Sequence, residues 1–390
     1  MFDLSKIRSA LRDAGVEWWL FCNFHHRDQL SDRILDLPLD STNSRWWFYL
    51  VPATGEPVRI VHGVEPGALD SLPGSMVRYD SRAGLEVALS RFKGARVGVQ
   101  WSETVSAIST LDHGTALLLQ SAGLVLVPAD GLVQRLQGLL DARGIESHEK
   151  AGRNLYEVVR RVWARIGEAY RAKRPITEVE VQGWIMGLFD EMGMETDHPP
   201  ILAAGLHTND PHFAPDPSID HAFVEGDIVQ LDIWAKLREP GAIYADISWL
   251  GVFGTSIPEK AKAPFAALVA ARDSASAYIS SAAAEGRRVT GSEVDAHVRG
   301  GLIAAGYAKA LRHRTGHGID VDVHGSGANL DSLEFPDRRE LIDGSCFSVE
   351  PGLYFEDFGL RTEIDVYIKD GKPVVSGGKP QTAFLLCEAP

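Results

Sequence analysis

Cysteine is scarce, with three in 390 residues: Cys22, Cys346 and Cys387. They are far apart and form no CxxC spacing, so neither a disulfide framework nor a zinc knuckle organises this chain. Cys346, inside the apolar run CFSVE, reads as a buried free thiol. Long apolar runs are missing too. No stretch approaches the roughly 18 uncharged residues that a helical membrane span needs, so no membrane partner is expected. The opening MFDLSKIRSALRDAG carries charges throughout and reads as an amphipathic helix rather than a signal peptide, which predicts a cytoplasmic protein. Positive charge is in deficit, 39 Lys and Arg against 53 Asp and Glu, for a formal net charge of −14. Nucleic acid is held by neutralising its phosphates, so a nucleic-acid partner is excluded.

What is present is enough for two cores. A chain of 390 residues exceeds one ordinary domain. Residues 1–140 alternate helix and strand patterns, as in a small α/β domain. Leu4–Ala14 reads as a helix stopped by Gly15, and Trp18–Cys22 as a buried strand. Arg45–Val51 and Val58–His62 flank PATGEP as a hairpin. His25-His26-Arg27 shows no ligand spacing and reads as a loop feature.

The pattern changes near Asp141, and residues 145–390 read as a second, α+β domain. Leu155, Val158, Val159, Val162, Ile166 and Tyr170 recur at helical intervals within Ser147–Lys173. Thr177 then opens a second helix, with Glu180 as its capping-box partner. Strands are expected at Ile201–Ala204, Asp227–Ala235 and Ala242–Phe253. Helices follow at Pro258–Ala284 and Ser292–Ala305, then strands at Ser345–Tyr354, Thr362–Ile368 and Ala383–Cys387. Two helices followed by strands occur twice, a hint of internal duplication.

The anomaly that points to chemistry is acid inside strands. Asp232 lies in VQLDIWA, Asp246 in IYADISWLGVF, Glu350 in FSVEPGLYF, and Glu363 with Asp365 in LRTEIDVYI. Buried carboxylates need pairing, hydrogen bonds or a metal. One alone would be an ordinary salt bridge; several in one domain, with few basic partners near them, call for a shared cation. The segment RHRTGHGIDVDVHGSG adds His313, His317 and His324, and TNDPHF adds His212. Each of these histidines alone reads as a satisfied loop residue. Together with the carboxylates they make an oxygen-rich site suited to paired manganese, cobalt or zinc.

The ordered set resembles the pita-bread metallopeptidases, and within them the proline-specific branch of Xaa-Pro dipeptidase (prolidase) and aminopeptidase P. Asp232, Asp246 in YAD, His317 in GHG, Glu350 in VEPG and Glu363 in RTE match the family's ligands in order. The resemblance implies a creatinase-type N-terminal domain ahead of a pita-bread catalytic domain, two divalent ions, of which manganese is the first choice, and a homodimer. Asp246 and Glu363 would bridge the ions, Asp232 would serve one, and His317 and Glu350 the other. A bridging hydroxide would attack the Xaa-Pro carbonyl, with Glu350 shuttling the proton. His212 and His324 would stabilise the intermediate and hold substrate, and His313 and Arg361 would contact substrate or orient the metal shell.

Three departures stand out. Asp232-Ile233-Trp234 replaces the family's Asp-x-Gly, KLREPGA lengthens the following turn, and Ser248-Trp249 replaces Thr-Arg. Trp234 and Trp249 are therefore both expected to reshape the pocket. The basic residue that reads the proline carboxylate has no clean counterpart, and Arg338 and Arg339 are the candidates. The rivals are an Xaa-Pro aminopeptidase acting on longer peptides, a metal-free creatinase-like C–N hydrolase, a non-catalytic binding protein and a two-metal phosphoesterase. Retention of all five ligand positions disfavours the second and third, and the lack of a glycine-rich phosphate loop disfavours the last.

Overall fold

The computed structural model describes residues 2–387. It divides into two compact units, Met1–Gln137 and Gly138–Pro390. The first begins with α1 (Leu4–Ala14), capped by Asp3 and closed by Gly15 in the left-handed region. β1 (Trp18–Asn23), α2 (Gln29–Leu35), β2 (Trp47–Pro52), β3 (Val58–His62) and β4 (Ser75–Tyr79) follow. Then come α3 (Arg82–Ser90), β5 (Arg96–Val99), α4 (His113–Ser121), β6 (Val125–Pro128) and α5 (Asp130–Gln137). One six-stranded sheet results, in the order β4-β3-β2-β1-β5-β6, with β2 and β3 forming the expected hairpin. His26 bridges Asp32 and the Ser41 carbonyl, both at 2.9 Å, which accounts for it as a loop fastener.

The second unit starts on α6 (Ala142–Arg171) and α7 (Glu178–Glu191). α6 begins five residues earlier than its apolar stripe suggests, because Asp141 accepts the Gly144 N–H at 2.8 Å and caps a polar first turn. Thr177 caps α7, but Glu180 does not return the bond, since its carboxylate is taken by Arg174 at 2.8 Å. The strands β7 (Met194–Glu195), β8 (Ile201–Ala204), β9 (Ile228–Leu237) and β10 (Ala245–Val252) follow. α8 (Glu259–Ala284) and α9 (Gly291–Ala304) come next, and a full capping box of Thr290 and Glu293 opens α9.

The C-terminal strands are shorter than the apolar runs imply. Ser345–Tyr354 divides into β11 (Cys346–Val349) and β12 (Gly352–Tyr354), which belong to different sheets. Thr362–Ile368 begins in the break after β13 (Gly359–Arg361) and overlaps only β14 (Ile364–Lys369), with β15 (Lys372–Val375) and β16 (Leu385–Leu386) following. β11 pairs with β14, and β12 with β13. Glu350 and Glu363 therefore occupy the two breaks where one hairpin passes from sheet to sheet.

Strand alternation decides which side chains can meet. In β9 and β10, Leu231, Ile233, Ala245 and Ile247 pack against Leu155, Val158, Val162 and Ile166 of α6. Asp232 sits opposite Ser248 and Trp234 opposite Asp246, so these four share the other face. In β14, Ile364 and Val366 pack with α8 and α9, which puts Asp365 on the opposite side. Each sheet thus turns one apolar face to helices and carries its acids on the other, which is polar around the acids and, on β9 and β10, apolar at Ile228, Leu250 and Val252. The polar faces meet where the Glu363 N–H donates to the Ser248 carbonyl at 3.1 Å and the Asp246 N–H to Asp365 Oδ2 at 2.7 Å.

The register also corrects one expectation. Trp249 faces the α6 core and packs edge-on against Tyr156 at 5.7 Å, so it does not shape the pocket. Trp249→Ala should destabilise the protein by about 3 kcal/mol and lower its melting temperature. An unchanged melting temperature would mean that this ring lies outside the core.

Candidate metal centre

The loop carrying His317 is pressed onto β11. A Cβ on Gly316 would lie 2.0 Å from the Ser348 carbonyl oxygen, so glycine is required for the close approach. The His317 N–H donates to Ser348 Oγ at 3.0 Å, and the Ser348 N–H to the His317 carbonyl at 2.9 Å. Thr315 is held from α9 by the buried Asp295, which accepts its N–H at 2.9 Å, and the Glu350 N–H donates to the Thr315 carbonyl at 2.7 Å. The loop and the β11–β12 break are thereby tied together.

One oxygen each from Asp246 and Glu363 and one imidazole nitrogen of His317 lie within 4.8 Å of one another, all buried. His317 Nδ1 faces the Gly318 carbonyl at 3.3 Å, which leaves Nε2 as the free lone pair. Nε2 stands 3.6 Å from Asp246 Oδ2 and 3.5 Å from Glu350 Oε1, too far for good hydrogen bonds. Asp246 Oδ1 and Glu363 Oε1 are buried with no hydrogen-bond partner. Burial first, and then their neighbouring carboxylates, push the pKa values of Asp246 and Glu363 well above the usual range. Hard oxygens with unmet lone pairs, close to a neutral imidazole, fit a divalent cation.

Asp232 is differently placed. Its carboxylate accepts from Arg361 and from the Ser248 hydroxyl, so a positive charge already faces it. Arg361 in turn donates to Tyr354 Oη at 2.9 Å and to the Pro211 carbonyl at 3.1 Å. The Tyr354 hydroxyl then donates to His313 Nε2 at 2.8 Å, and His313 Nδ1–H donates to the Arg314 carbonyl at 2.7 Å. This relay sets the His313 tautomer, and burial followed by the Arg361 charge lowers the His313 pKa to about 3. His324 lies 4.3 Å from His317, ring centre to ring centre. Its pKa is also lowered to about 3, chiefly by His317 and then by burial.

His212, Asp232, Asp246, His313, His317, His324, Glu350, Arg361 and Glu363 all line one cavity of about 520 Å³. Asp197, His198, Trp234 and Arg314 line it too, and sequence reasoning gave none of them a role in metal or substrate binding. Trp234, expected from sequence to reshape the pocket, does line it, and its indole donates to Asp197 at 2.8 Å. Tyr354 was also missed, although its place four residues after Glu350 in EPGLY was a usable signal. Arg339 is not in the cavity: its guanidinium is bound to Asp337 and to the Ser326 and Gly327 carbonyls. Arg338 is exposed elsewhere. Neither is placed to read a substrate carboxylate.

Residues 146–370 match the model of metallopeptidase family M24, and the chain belongs to that family. It is 29% identical over 332 residues to the probable dipeptidase PepE of Mycobacterium tuberculosis, covering 83% of this chain and 81% of the relative. Among solved structures, dipeptidase PepE from Mycobacterium ulcerans superposes with a TM-score of 0.70 at 22% identity, covering 98% of this chain and 96% of that one. A recombinant prolidase from Thermococcus sibiricus gives a TM-score of 0.64 at 22% identity, covering 98% of both. The chain has the pita-bread fold of these enzymes.

The unbalanced acids make a prediction about stability. A carboxyl whose folded pKa is raised contributes stability that is fully present below its unfolded value, about 4.3 for Glu, and is lost as pH rises through the folded pKa. In chelator-treated protein, Glu363→Gln should therefore melt higher than wild type at pH 8, with the gap closing towards pH 4. Added manganese should reverse the order, because only the wild type keeps the full donor set. Equal melting temperatures under all conditions would show that Glu363 carries no such burden.

Proposed function

We propose that this M24 peptidase is an Xaa-Pro dipeptidase working with two divalent ions, manganese first and zinc or cobalt as alternatives. The observation that carries the reading is the convergence of Asp232, Asp246, His317, Glu350 and Glu363 on one cavity. Asp246, Glu363 and His317 would form the nucleus of the metal site, with Glu350 and Asp232 completing it. When bound, the ions supply Lewis acidity and acidify a water for attack at neutral pH.

The chain's own residues then have distinct tasks. Glu350 takes the proton from the attacking water and returns it to the proline nitrogen as the bond breaks. His212 and His324, at the cavity wall, donate to the developing oxyanion. The Arg361–Tyr354–His313 relay holds the wall against which the proline ring packs. An Xaa-Pro bond has no N–H at the scissile nitrogen, so recognition must come from groups on either side of it. The similarity to a probable dipeptidase and a prolidase supports the same assignment.

Chelation should abolish hydrolysis of Ala-Pro, and manganese should restore it. Glu350→Gln should lower kcat by about 100-fold or more with KM changed little, the signature of lost proton transfer. Metal-independent cleavage, or a metal-loaded protein inert towards every Xaa-Pro peptide, would contradict the proposal. Faster cleavage of Ala-Pro-Ala than of Ala-Pro would make it an Xaa-Pro aminopeptidase instead.

A further inference from the structure

Permanent positive charge in the cavity comes from two arginines, Arg314 and Arg361. Arg361 is fully engaged by Asp232, Ser248, Tyr354 and the Pro211 carbonyl. Arg314 is not. No hydrogen bond or ion pair engages its guanidinium among the described residues, although it is half-buried and Glu334 lines the same cavity. Its backbone, in contrast, is fastened on both sides. The Arg314 carbonyl accepts from His313 Nδ1 at 2.7 Å, and the next N–H, that of Thr315, donates to Asp295 at 2.9 Å.

A partly desolvated guanidinium on a fastened backbone, with its donors unused, is poised for an anion from outside the chain. Its planar fork matches a carboxylate through two parallel hydrogen bonds. In a dipeptide the C-terminal carboxylate is one residue from the bond to be cut, so its reader must sit close to the metal ligands. Arg314 is three residues before His317 on the same loop, and its charge is felt by both His317 and His324. Arg338 and Arg339 are elsewhere, as described above.

We propose that Arg314 binds the C-terminal carboxylate of a dipeptide and so sets the substrate length this enzyme accepts. The inference rests on the Xaa-Pro reading and deepens it. It is tested with Ala-Pro and with Ala-Pro-amide, which lacks the carboxylate. Arg314→Ala should raise KM for Ala-Pro roughly 10- to 100-fold, the loss expected for a charge-assisted bond. Its kcat should stay within about threefold, because the interaction is uniform between ground and transition states. Cleavage of Ala-Pro-amide should be unaffected, and Arg314→Lys should recover part of the Ala-Pro affinity by keeping the charge without the fork.

Equal losses for acid and amide, or no loss for the acid, would overturn the assignment. A second arm separates it from the proposed reaction. Calorimetry on manganese-loaded protein measures binding of the reduced-amide isostere of Ala-Pro, which cannot be cleaved, and of that isostere's C-terminal amide. Wild type should prefer the acid and Arg314→Ala should not. If wild type cleaves no Xaa-Pro bond, the function reading falls while this arm still decides the role of Arg314. Equal affinity of wild type for both isosteres would overturn it.

Discussion

Asp246 and Glu363 face each other in a buried site, with Glu350 close by, and nothing among the described residues neutralises them as a group. The nearest guanidinium, Arg361, is committed to Asp232, and it reaches Glu350 only at 3.9 Å. Carboxylates in this position repel one another and lose their water, so the rest of the structure must hold them against their own electrostatics. The surroundings look built for that load. Asp246 is gripped through its N–H by Asp365, and Glu363 through its N–H by Ser248. The fully buried Arg272 holds Thr362, between Arg361 and Glu363, at 2.7 Å.

Two sheets share the task of presenting the acids. On β9 and β10 the acids sit inside paired strands, Asp232 mid-strand and Asp246 near the start of β10, where alternation turns them away from the α6 core and towards the cavity. On the C-terminal hairpin they sit at breaks between paired segments, where the backbone passes from one sheet to the other. A site drawn from rigid elements on two sheets keeps its geometry better than one carried on a loop. The histidines are the exception, and the Gly316–Ser348 approach and the Asp295 anchor replace the missing strand.

Much of this is legible in the sequence. An acid in the middle of an apolar strand is so costly that its presence alone signals pairing or a metal, and this picked out Asp232, Asp246, Glu350 and Glu363. Helix and strand positions followed from periodicity, with errors at the ends where polar caps such as Asp141 extend a helix beyond its apolar stripe. Trp249 was misjudged because nearness in sequence to Asp246 says nothing about side; three residues of strand put it on the other face. The strand breaks at Glu350 and Glu363 were invisible because the apolar pattern runs through them. Arg314 was passed over because an arginine's value depends on whether it already has a partner, and partners are made by the fold. Arg339 illustrates the converse, a plausible binder fully occupied by Asp337 and carbonyl groups.

The proposed chemistry depends on the buried acids holding metal. Metal content after exhaustive dialysis, measured by plasma mass spectrometry on wild type and Asp246→Asn reconstituted side by side, tests that most directly. Two divalent ions per chain in the wild type and at most one in the variant is the predicted result. A wild type that binds no divalent ion, or an Asp246→Asn variant that binds as many as wild type, would contradict it.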